Sequence, residues 1–135
     1  MDGRKIRVSK HTQLPGCLLG TGFPYRDQKD WLELYLDIFT DFTKIVGAIR
    51  RPGSAALDLA YVASGRYDGF WEFGLKSWDV AAGVLLIQEA GGIVQNIIPG
   101  TDPLESGSLF CGNPKIFEGM KEIVSQYDER LKAFA

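Results

Sequence analysis

Cysteine and histidine are nearly absent: Cys17, Cys111 and His11 are all that the 135 residues hold of either type. The two cysteines lie far apart, each in an apolar run, Cys17-Leu18-Leu19 and Leu109-Phe110-Cys111. They make neither a disulfide framework nor a zinc site and are expected as buried thiols in a reducing compartment. His11 stands between Lys10 and Thr12 with no catalytic partner beside it, so it is expected at the surface, and no nucleophilic triad can be assembled around it. No apolar run reaches the roughly eighteen residues of a membrane span, and the N-terminus has no hydrophobic signal core. The expected compartment is therefore the cytoplasm, with no membrane partner. A strong excess of one charge is lacking too: 15 Lys+Arg against 17 Asp+Glu give a net −2, which is no direct nucleic-acid footprint. Local basic clusters remain at Arg4-Lys5-x-Arg7 and Arg50-Arg51. The first reads as part of a solvated segment over 4–10, and the second leaves a partner contact open.

What is present is the composition of a globule, 45% hydrophobic and 24% charged, long enough to bury one real core. Residues 1–135 read as a single domain with an extended polar leader over 1–16. A short strand at 17–21 stops where Pro24 follows Gly22-Phe23. From about Gln28 to Lys44, Trp31, Tyr35, Ile38, Phe39 and Phe42 recur at helical spacing and mark a core stripe. Strands follow near 47–50, 68–73, 93–97 and 108–111, with helices from Ala55 to about Ser64, from Trp78 to Ala90, and from Pro114 towards Phe134. Alternating strands and helices predict an α/β layered domain, a mostly parallel five-stranded sheet flanked by helices. Phe70, Trp71, Phe73 and the 93–97 strand are expected to meet the Trp78–Ala90 helix, each large side chain contributing about 1.5–3 kcal/mol when buried.

From Trp78 to Ala90 only Asp79, Gln88 and Glu89 are strongly polar, so this helix is expected to be buried on nearly every side and to end at Gly91-Gly92. Asp79 lies in its first turn. Either it complements the helix dipole beside a Ser77 N-cap, or it is a ligand for a hard metal, since Mg²⁺ prefers carboxylate oxygen. Upstream, Gly53 allows a sharp turn, Ser54 can cap the next helix, and Gly65 can end it in a left-handed conformation. The first N–H groups of that helix are then open to an anion or hydroxyl. Glu72 interrupts the aromatic run Phe70-Trp71-Glu72-Phe73, where a carboxylate is either paired, with Lys76 or Arg66, or set at an open strand end. Asp58, one turn beyond the cap, reads as a dipole-favoured acid without substrate contact.

Taken in order, Gly53-Ser54-Ala55-Ala56-Leu57-Asp58-Leu59-Ala60, Asp68-Gly69, Glu72 and Trp78-Asp79-x-Ala-Ala-Gly through Glu89-Ala90-Gly91-Gly92 resemble the C-terminal half of the inositol monophosphatase family. Thr21-Gly22-Phe23-Pro24 and Arg50-Arg51 look like its bacterial branch. The resemblance implies half of an α-β-α-β-α sandwich. It implies Asp79 as a ligand to the second catalytic Mg²⁺, and Gly53, Ser54, Ala55 and Glu72 as the lining of a pocket for the sugar ring, with Glu72 accepting hydrogen bonds from ring hydroxyls. A polyol needs acceptors and convergent N–H donors, which these residues supply. The partners that the same resemblance implies are a sugar or inositol phosphate, a second copy in a homodimer, and a transcription antitermination complex.

The family's other metal ligands, a helix-borne glutamate and an Asp-Pro-x-Asp-Gly-Thr segment, belong to the N-terminal half, and no such segment occurs here; Asp2-Gly3 is followed by Arg4. Two-metal hydrolysis needs several oxygen ligands, so the isolated chain is expected to be inactive. Met1 then reads as a truncation, with a genuine start in a split gene or a half-length relative as the alternative. A former contact face is expected to be exposed and to favour self-association or a partner. Alternatives to an inositol phosphatase are a related Mg²⁺ phosphatase acting on fructose bisphosphate, NADP or 3′-phosphoadenosine nucleotides, a non-catalytic binding module, and a polyol or anion binder that uses no metal.

Overall fold

In the computed structural model, which describes residues 5–22, 31–51 and 53–134, alternation of strand and helix builds one five-stranded sheet in the order β2-β1-β3-β5-β4. Its strands are β1 (Leu18–Thr21), β2 (Ala48–Arg50), β3 (Gly69–Glu72), β4 (Ile93–Asn96) and β5 (Leu109–Gly112). The helices are α1 (Leu32–Ile45), α2 (Ala55–Ala63), α3 (Ser77–Glu89), α4 (Pro103–Ser106), α5 (Pro114–Val124) and α6 (Asp128–Leu131). β1 pairs in parallel with β2 and β3, whereas β5 runs antiparallel between β3 and β4. Every strand but β5 therefore points the same way, which agrees with a mostly parallel sheet.

Strand alternation divides the core into two clusters. Leu19, Trp71 and Phe110 face α1 and α5, and Leu18, Phe70, Leu109 and Cys111 face α2 and α3. Both faces are covered, which is why the strands read as nearly continuous apolar runs. The same alternation corrects one expectation: Phe70 lies on the α3 side, but Trp71 and Phe73 pack with Tyr35 of α1 on the other. Cys17 and Cys111 are buried free thiols. The β1–β2 crossover runs in the direction opposite to the β2–β3 crossover, so right-handed connections put α1 and α2 on opposite faces.

α1 buries Leu34, Tyr35, Ile38 and Phe42, close to the expected stripe; residues 28–30, where a start was expected, lie outside the described residues. Ser54 caps α2, its hydroxyl oxygen accepting from the Leu57 N–H, and Gly65 takes φ +82° just beyond the helix. The expected terminal helix is broken instead. A 3₁₀ turn at Ser125–Tyr127 separates α5 from α6, and the break lets Tyr127 donate to Asp41, Arg130 pair with Asp37 at 2.7 Å, and Leu131 enter the core. α4 was not expected, although Asp102 accepting from the Leu104 N–H ahead of Pro103 is an ordinary start signal. The described part of the leader is docked through its backbone, while Lys5, Arg7 and Lys10 are exposed as expected of a solvated segment. The Val8 N–H donates to the Ala90 carbonyl, and the Asn113 side chain donates to Ser9 and to the His11 carbonyl. His11 itself is exposed, its Nε2 3.1 Å from the Pro15 carbonyl oxygen.

α3 departs most from expectation. Only Val80, Gly83 and Ile87 are buried, while Trp78 is 74% and Leu85 58% exposed. Its composition is that of a helix covered on both sides, and the described residues cover one. The covered side rests on α2 through Gly83, where a Cβ would lie 2.5 Å from Leu59 Cδ1 and 2.6 Å from Leu59 Cβ. Gly83→Ala gains about 1 kcal/mol of helix propensity but suffers an overlap costing about 1–3 kcal/mol. Gly83→Val has the larger overlap and little propensity gain, so we expect it to lose about 3 kcal/mol, roughly 10 °C in melting temperature. Thermal denaturation of the pair checks this; a valine variant melting with the parent would contradict so close a helix contact.

Candidate functional site

Because β1, β2 and β3 are parallel, their C-terminal ends share one edge of the sheet, and α2 and α3 both begin there. The chain leaves β1 for α1 on one face and leaves β3 for α3 on the other. A crevice is expected where such connections diverge, outside the carboxyl ends of the strands. The register Thr21↔Trp71 brings Gly22 and Glu72 to that point. Asp68 holds the opposite end, its carboxylate accepting from the Leu18 N–H at 2.7 Å while its own N–H donates to the Leu18 carbonyl at 2.8 Å.

Gly53, Ser54 and Ala55 form the mouth of α2, with Gly53 at φ +92° and both Gly53 and Ser54 exposed. Glu72 ends β3 at 6% exposure, and among the described residues its carboxyl forms no ion pair. The alternative pairing with Arg66 or Lys76 is not formed: the Arg66 guanidinium lies over the Tyr61 ring, 5.4 Å from its centre, and Lys76 is exposed. Burial, reinforced by the charges of Asp58 and Asp79, pushes the Glu72 carboxyl up to about 8. A carboxyl held up in this way keeps its proton more readily, and the protonated form can donate as well as accept a hydrogen bond. Asp79 occupies the first turn of α3, half-buried. Ser77 does not cap the helix: Lys76 is the N-cap, without a side-chain bond, and Ser77 is the first helical residue.

Asp58 is more deeply placed than expected, at 1% exposure with Oδ1 unpartnered, and burial pushes its carboxyl up to about 6. Desolvation outweighs the favourable helix dipole there. In the sequence only its place one helical turn before the apolar Val62 hints at this, and the burial itself comes from packing. For a hard divalent cation the donor chemistry fits in part: Asp79 offers carboxylate oxygen at a helix mouth. No group of three or more His, Cys, Asp or Glu among the described residues forms a cluster that could hold a metal ion. The concavity of about 140 Å³ lined by Gln95, Asn96, Lys121 and Asp128 includes none of these site residues.

The sequence pattern of the inositol monophosphatase family matches residues 1–129. The chain belongs to that family. It is 53% identical over 121 residues to the Nus factor SuhB of Pseudomonas aeruginosa, covering 89% of this chain and 45% of that protein. It is 42% identical over 126 residues to the inositol-1-monophosphatase of Rhizobium meliloti, covering 93% and 47%. Among solved structures, the inositol monophosphatase of Anabaena superposes with a TM-score of 0.83 at 39% identity, covering 93% of this chain and 49% of that one. The extragenic suppressor protein SuhB of Bartonella henselae superposes at 0.84 with 40% identity, covering 91% and 46%. The chain thus spans about half the length of these relatives, and its fold is that of the inositol monophosphatase structures.

Proposed function

We propose that this chain is the C-terminal part of a Mg²⁺-dependent phosphatase that hydrolyses inositol monophosphate to inositol and phosphate. The observation that carries the reading is the convergence of Glu72 and the mouths of α2 and α3 at one sheet edge. In this reading Gly53, Ser54 and Ala55 direct backbone donors at the ring, Glu72 receives its hydroxyls, and Asp79 supplies one carboxylate ligand to the leaving-group-side metal. Magnesium, when bound, would supply charge neutralisation on the phosphoryl group and make water a better nucleophile. The chain's own residues hold and orient the alcohol being released. The remaining metal ligands come from the other half of the enzyme, so the chain alone is inactive.

The apolar surface of Trp78 and Leu85 then belongs to a contact in the whole protein, and a homodimer in the cytoplasm is part of the same reading. No helix of the described residues is long and apolar enough to cross a membrane. The test is phosphate release from inositol 1-phosphate with Mg²⁺, by the chain alone and mixed with the purified N-terminal half of a close relative. Turnover only in the mixture is expected; turnover by the chain alone would overturn the half-site. Fructose bisphosphate, NADP and 3′-phosphoadenosine nucleotides, run in parallel, separate the neighbouring specificities. A second reading, a non-catalytic antitermination module, is favoured by the relatives named Nus factor SuhB, and silence throughout the assay would shift weight to it.

A further inference from the structure

At the C-terminal ends of β1 and β3 lies one close approach that the site residues named so far leave unexplained. Thr21 and Trp71 are register partners whose side chains turn towards α1, where the Thr21 hydroxyl donates to the Trp71 carbonyl at 2.9 Å and meets the Tyr35 hydroxyl. One step on, Gly22 and Glu72 therefore turn to the opposite face, the side of α2 and α3. A Cβ built on Gly22 would stand 2.0 Å from Glu72 Oε1, 2.5 Å from Cδ and 3.1 Å from Oε2. The colliding group is the carboxyl head itself, not the stem and not the backbone.

We propose that Gly22 is a positioning residue for the ring pocket: its missing side chain is the space in which the Glu72 carboxyl lies, and any larger residue there turns that carboxyl away from the ring hydroxyls. The proposal rests on the reading of Glu72 as the hydroxyl acceptor. It differs from a packing requirement in a measurable way. Gly22 does not need a left-handed backbone, since positive φ occurs at Gly16, Gly53, Gly65, Gly74, Gly91, Gly100 and Gly107 but not there. The group displaced is the end of a side chain that can rotate, so an alanine moves the carboxyl before it moves the strand. Gly107 is the contrast, because its Cβ would fall 1.8 Å from the Leu75 carbonyl oxygen, which cannot rotate away.

The experiment uses the full chain as the parent and as Gly22→Ala, Glu72→Ala and the double variant, with two readouts. The first is the carboxyl ¹³C resonance of Glu72, assigned by its loss in Glu72→Ala. It should shift in Gly22→Ala while the other glutamates stay in place and the melting temperature holds within a few degrees; an unmoved resonance overturns the proposal. The second is binding of inositol 1-phosphate by each protein complemented with the purified N-terminal half, read as KM for phosphate release with Mg²⁺. Gly22→Ala should weaken it about tenfold or more, as misplacement of a binding group does, and should cost nothing further once Glu72 is alanine. A loss that adds in full to that of Glu72→Ala means that Gly22 acts elsewhere and overturns the proposal. Absence of binding by the parent, with the resonance still shifted by Gly22→Ala, would overturn the functional reading of Glu72 and uphold Gly22 as the residue that positions it.

Discussion

Asp79→Asn should reduce phosphate release by the complemented enzyme by about a hundredfold or more, while the melting temperature of the chain changes by only a few degrees. The two expectations separate the two readings of this acid. As a dipole partner in the first turn of α3, its charge is worth about 0.3–1 kcal/mol, and asparagine of the same shape forfeits that alone. As a metal ligand, its charge is worth about 3 kcal/mol or more in the transition state, which is a hundredfold in rate. Phosphate release and thermal melts on the same preparations check both. A variant that keeps its rate and loses stability would leave only the dipole role.

The order of strands and helices was legible because both faces of the sheet are covered. Strand runs such as Leu109-Phe110-Cys111 are apolar throughout, and their boundaries fall at Gly, Pro and Asn. Less legible were the places where tertiary contact overrides local pattern. Nothing between Pro114 and Phe134 forbids one long helix, yet the chain breaks at Ser125–Tyr127, where Tyr127 bonds to Asp37 and Asp41 of α1, and Leu131 beyond the break is buried in the core. The apolar residues of α3 indicated burial on every side, because a sequence records all the surfaces a helix is shaped for and not which of them this chain itself supplies.

At the candidate site, the family resemblance nominated Ser54, Glu72 and Asp79; spacing along single elements gave only a helix cap, an acid in an aromatic run and an acid in a first helical turn. Ser54 does cap α2, and Glu72 and Asp79 stand at the ends of β3 and the start of α3. Two neighbours escaped because their significance lies across elements. Gly22 reads as punctuation before Pro24, and only the β1–β3 register reveals the carboxyl beside it. Asp58 reads as a helix-start acid, and only packing against the sheet shows that its carboxyl is buried. A buried ionisable group of this kind is a device or a cost, and the two acids form a unit only in that the charge of Asp58 adds to the burial that raises Glu72.

That unit has a consequence for stability, carried mainly by Glu72. Its carboxyl is raised from 4.5 to about 8, by burial first and then by the charges of Asp58 and Asp79. Between those two values the folded chain holds a proton that the unfolded chain has released, so stability falls as pH rises through this window. Below pH 4.5 both states are protonated and the penalty is absent; above pH 8 both are ionised and it is complete. Glu72→Gln keeps the shape and removes the charge. In metal-free buffer it should therefore melt with the parent near pH 4 and be the more stable near pH 9, by roughly 3 kcal/mol once partial access of water is allowed for. Asp58→Asn, whose parent carboxyl is raised from 3.8 to about 6, should show a smaller gain that is already complete near pH 7. The measurement is melting temperature against pH for the three proteins. A constant offset between Glu72→Gln and the parent at every pH would mean that Glu72 ionises as freely in the fold as in the unfolded chain; a difference that opens between pH 5 and 8 identifies a carboxyl kept neutral by its surroundings, one a ring hydroxyl would meet as a donor as well as an acceptor.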